Sequence, residues 1–116
     1  MNRPEILKDI EFHDRDVASL NIDFSNKKIV LALEELIDEP QAEKVFTFEG
    51  VTNITTGGFE EYIELNQLEL YGANFSKKND VNYVEFIFLL GFGKPSWQLN
   101  FNFEKVNITR EFLPSQ

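Results

Sequence analysis

The chain has 116 residues, with 12 phenylalanines, no cysteine, and a net charge of −9 from 20 acidic and 11 basic side chains. The missing cysteines exclude disulfides and thiolate metal sites. The acid excess argues against nucleic acid and anionic membranes, which recruit Lys and Arg, and favours a basic protein partner with a complementary field.

At this length residues 1–116 read as a single domain, long enough to bury roughly two thirds of its unfolded surface. The longest apolar run, Phe86–Phe92, is too short for a membrane span, and the charged start has no signal-peptide core. A cytoplasmic protein is therefore expected. The Asn-x-Ser/Thr triplets at Asn53, Asn74 and Asn107 are read as a by-product of an Asn- and Thr-rich chain.

Taken in chain order, Pro4 in "RPEILKDI" suits a first helical turn, and Ile6, Leu7 and Ile10 share a side, so one short N-terminal helix is expected. "VASLNIDF" alternates as a strand, with Ala18, Leu20, Ile22 and Phe24 on one face and Val17 on the other. After the turn "SNKK", a second strand puts Ile29, Leu31 and Leu33 inward, which makes a hairpin. Asp38–Lys44 is a polar loop, and a third strand follows with Phe46 and Phe48 inward. Gly57-Gly58 interrupts the pattern. Tyr62–Gly72 reads as the next strand, and its change of phase between Leu65 and Leu68 predicts a bulge near Asn66-Gln67.

Asn74–Asn82 is read as a turn. The run from Tyr83 alternates and then turns apolar on both sides, as a central strand does. "GKPS" turns the chain into "WQLNFNF", where Trp97, Leu99, Phe101 and Phe103 face in. Val106 resumes the apolar pattern out of phase, which predicts a break after Phe103. The core list is Leu20, Ile22, Leu31, Leu33, Phe46, Phe48, Phe86, Phe88, Leu99, Phe101 and Phe103. Short links without helical crossovers imply antiparallel pairing. The fold class is all-β, a two-layer sandwich or partly open barrel of six to seven strands.

Chemistry-bearing constellations are few. Nucleophilic catalysis lacks Cys and has a single His, and "GFGKPS" lacks phosphate-loop spacing. His13, Asp14 and Asp16 offer one nitrogen and two carboxylates, but on an extended backbone His13 points away from both aspartates. No metal and no cofactor is therefore expected. Phe12 is expected at the core edge, Asp14 accepting backbone N–H bonds, and His13 donating one ring N–H: a structural motif. The carboxylates Glu34, Glu35, Asp38, Glu39, Glu60, Glu61 and Glu64 read as solvated charge available to a partner rather than as a glycosidase pair.

"FHDRDVASLNIDFSNKKIVLALE" and "VFTFEGVTNI" resemble the opening and middle strands of a family of immunity proteins associated with bacterial polymorphic toxins, which begin with Phe-His-Asp. The resemblance covers the first half of the chain. It implies a cytosolic, non-catalytic protein that neutralises a toxin by binding it. The alternatives are a small-ligand carrier, with an interior lined by Phe86, Phe88, Phe101 and Phe103, and an enzyme.

Overall fold

The computed structural model describes residues 4–34, 42–57, 68–89 and 97–112. These form eight strands, where six or seven were expected: β1 Arg15–Asp23, β2 Lys28–Glu34, β3 Ala42–Glu49, β4 Thr52–Gly57, β5 Glu69–Lys78, β6 Val81–Leu89, β7 Trp97–Phe103 and β8 Lys105–Phe112. All ladders are antiparallel, in the order β4-β7-β6-β5-β1-β2-β3-β8, an open arrangement with β4 and β8 at its edges.

The sheet folds over on itself at β1. Arg15 and Asp16 pair with β5, whereas Val17 to Asp23 pair with β2. A bulge between Val17 and Ser19 marks the change of partner. It also explains why Val17, expected to face out, is buried while Leu20 and Ile22 still pack against the core. An extra residue in one strand reverses the faces beyond it.

At a second corner, two connections cross between the halves. Gly50 and Val51 carry the chain from β3 to β4, and Glu104 carries it from β7 to β8. The Glu104 N–H donates to the Glu49 carbonyl at 2.9 Å. Gly50 has φ +67, and the Glu104 side chain lies where its Cβ would be. This is the break predicted between Phe103 and Val106: both residues are buried because the chain changes layers between them.

The inner faces meet on phenylalanine. Phe48 of β3 lies 5.8, 5.1 and 4.9 Å, ring centre to ring centre, from Phe86, Phe101 and Phe103 of the opposite half, all edge-on. Quadrupoles favour that geometry. The strict alternation of β7 places Trp97, Leu99, Phe101 and Phe103 in the core. Nine of the eleven expected core residues are buried, and Leu20 and Ile22 are half-buried against them.

Four local expectations are corrected. Phe24 is 73% exposed, because the strand ends at Asp23 and the turn carries Phe24 away. The N-terminal helix is a single 3-10 turn, Glu5–Leu7, which buries Leu7 and exposes Ile6. Asn74 to Lys78 continue β5, and the turn contracts to Asn79-Asp80, both at positive φ. Ala42 to Lys44, assigned to a loop, begin β3. The bulge expected at Asn66-Gln67 lies outside the described residues; an irregularity of that kind falls between Leu70 and Gly72.

Candidate functional site

The Phe-His-Asp segment is a turn, not an extended entrance. Asp14 has φ +55, a conformation that short polar residues tolerate best. The turn brings His13 and Asp14 together where an extended chain would part them. His13 Nδ1 lies 3.1 Å from Asp14 Oδ2, with the two side chains 58% and 59% exposed. The expected partner for the ring is thus a neighbouring carboxylate, within ion-pair distance. The expected backbone capping by Asp14 is replaced: the His13 backbone N–H donates to Glu11 Oε1 at 2.9 Å. Glu11 reaches two residues along, while Asp14 is drawn to the imidazole.

Phe12 goes deeper than the core edge. Its ring sits 5.3, 5.4 and 6.2 Å from those of Phe46, Phe75 and Phe86. Arg15, next along, is the buried charge of the described core, at 7% exposure. Its guanidinium donates to the Glu11 carbonyl and the Glu34 carbonyl, each at 2.8 Å, and its Nε is buried without a partner. Two carbonyl dipoles thus replace a carboxylate, and they tie the Phe-His-Asp turn to the end of β2.

Above this turn lies a groove of about 330 Å³, walled by Glu11, Phe12, His13, Tyr71, Gly72 and Asn74. The bulge between Leu70 and Gly72 turns Tyr71 outward to 46% exposure, 5.2 Å from the His13 ring. Bulges commonly re-aim a side chain in this way. Sequence reasoning missed Tyr71, Gly72 and Arg15. A glycine within an alternating strand was the available signal for Gly72. Nothing local marks Arg15 as buried.

Of the acidic residues assigned to a partner surface, Glu35, Asp38, Glu39, Glu60, Glu61 and Glu64 lie outside the described residues. Glu34 is exposed at the end of β2. Register places it directly opposite Glu43, and Glu43 directly opposite Glu111. Six residues back along the same three strands, Lys28, Glu49 and Lys105 pair in the same way, with Asp23 of β1 opposite Lys28. Lys105 Nζ lies 3.3 Å from Glu49 Oε2. One end of this sheet face alternates in sign. The other, about 20 Å away at strand rise, is acid opposite acid.

Among the described residues no three His, Cys, Asp or Glu side chains gather at a point that could hold a metal. No described helix is long and apolar enough to cross a membrane. The phenylalanines offered as a carrier's lining are packed on one another: Phe86 lies 6.1 Å from Phe88 and 6.0 Å from Phe101, and none of the three walls the groove. Comparison with protein-family models gives no match, and comparison with curated proteins gives none.

Proposed function

We propose that the chain is a non-catalytic binding protein that neutralises a basic bacterial toxin by contact, in the manner of an immunity protein. The observation that carries this reading is the row Glu34, Glu43 and Glu111 across three adjacent strands. Like charges placed directly opposite destabilise a sheet. A lysine at position 43 would relieve the repulsion, as Lys28 and Lys105 do at the other end of the face. A row of acidic residues in register is accounted for when a cationic partner neutralises it. The net charge of −9 and the Phe-His-Asp resemblance support the same reading.

A carrier is less well supported, because Phe48, Phe86, Phe101 and Phe103 fill the interior it would need. The test is co-expression with the product of the neighbouring gene. Restored growth and a one-to-one complex are expected. A neighbour whose toxicity is unrelieved and which forms no complex would overturn the reading.

A further inference from the structure

We propose that the groove beside the Phe-His-Asp turn takes an arginine side chain of the partner, an assignment that rests on the reading of the chain as a binder of a basic protein. The groove is at the small end of ligand pockets, which run from about 300 to 1,000 Å³. It has room for one long side chain. No Lys or Arg lines it.

Its polar atoms are biased towards accepting. Glu11 spends Oε1 on the His13 N–H, which leaves Oε2 to a ligand. Asn74 spends one of its two amide N–H donors on Glu85 Oε1 at 3.2 Å, and its Oδ1 remains an acceptor. The Tyr71 and His13 rings, 5.2 Å apart, line the same groove. A guanidinium has five N–H donors and no acceptor, stacks on aromatic faces and forks onto carboxylates. The buried Arg15 guanidinium, which holds both the Glu11 and the Glu34 carbonyl, ties the backbone at the groove to the end of the strand that begins the acidic row. Gly72 lines the groove, and a Cβ there would meet nothing within 4 Å. A larger side chain at position 72 should therefore fill the groove without disturbing the sheet.

The probe is N-acetyl-arginine methylamide, titrated into the full ¹⁵N-labelled chain. Saturable amide shifts are expected at Glu11 to Asp14 and at Tyr71 to Asn74. They should weaken at least threefold in Glu11→Gln and vanish in Gly72→Trp, with Gly72→Leu as the second occluding variant should the larger side chain disturb the spectrum. The citrulline analogue, equal in shape but neutral, should give no shifts, and the lysine analogue should bind several-fold more weakly. The proposal is overturned by the absence of saturable shifts, by shifts elsewhere, by shifts that survive occlusion, or by equal response to citrulline or lysine. Because the titration uses no toxin, an arginine site can be confirmed while co-expression fails, and the reverse, so the two readings fail separately.

Discussion

Arg15 shows how much structure one side chain can hold together. It is buried without a carboxylate, and one of its two hydrogen bonds spans nineteen residues of sequence. Arg15→Ala leaves two carbonyls without their donor and a gap in the core, so a loss of about 2–4 kcal/mol is expected in denaturant melts. A loss under about half a kcal/mol would contradict the clamp. His13 is the opposite case. Its contact with Asp14 joins two side chains that are more than half exposed, where such pairs contribute about 0–1 kcal/mol. His13→Ala should therefore leave the melting curve nearly unchanged, with or without zinc. Asp23 offers a titration test. Its carboxylate accepts the Asn26 side-chain amide at 2.8 Å and the Asn26 backbone N–H at 3.1 Å, and these bonds hold its pKa below the usual carboxylate value. A lowered folded pKa stabilises the fold above the unfolded value, near pH 4, and that contribution is lost as pH falls through the folded value. In a carboxyl NMR titration the Asp23 midpoint should rise in Asn26→Ala; an unmoved midpoint would place the cause elsewhere.

At the scale of elements, what was legible in the sequence was periodicity, and what was hidden was where periodicity stops. β7 alternates without a fault, and Trp97, Leu99, Phe101 and Phe103 could be read inward from their spacing alone. The break after Phe103 was legible for the same reason, since Val106 could share a face with Phe103 only if the chain changed direction. β1 was misread at both ends: the bulge at Ala18 and the change of pairing partner come from the tertiary corner, not from local preference. β5 was cut short because "SKKND" looks like a turn, whereas the two-residue loop needs only Asn79-Asp80, both at positive φ. That geometry favours glycine at the second position. Asp80→Gly should therefore stabilise the hairpin by up to about 1 kcal/mol, and a destabilised variant would show that the Asp80 side chain has a partner. At the other corner, Gly50→Ala should cost about 1–2 kcal/mol for its left-handed φ of +67. The candidate site was half legible. Phe12, His13 and Asp14 drew notice as a motif, but the groove depends on Tyr71 and Gly72, sixty residues away and brought in by a bulge.

For the whole molecule, two half-sheets are joined through a phenylalanine centre, and charge is divided unevenly over the outside. Phe48 touches three rings of the opposite half, so Phe48→Ala should cost about 3–5 kcal/mol, and Leu99→Ala, also fully buried, about 2–5. The acidic row makes a different demand, because stability and binding should move in opposite directions there. Glu43→Lys should raise stability by about 0.2–1 kcal/mol by making the row alternate in sign, and should slow association with a basic partner. That association should also slow with added salt, since exposed charges are screened over about 10 Å at 0.1 M. The proposal that the chain neutralises a toxin by contact is tested most directly by titrating it against a fixed amount of the toxin the proposal assigns to the neighbouring gene and following that protein's own activity. Contact inhibition predicts a linear fall to zero at one equivalent, unchanged by longer incubation. Full inactivation by a hundredth of an equivalent would show turnover, and undiminished activity at ten equivalents would show that the chain does not neutralise the toxin.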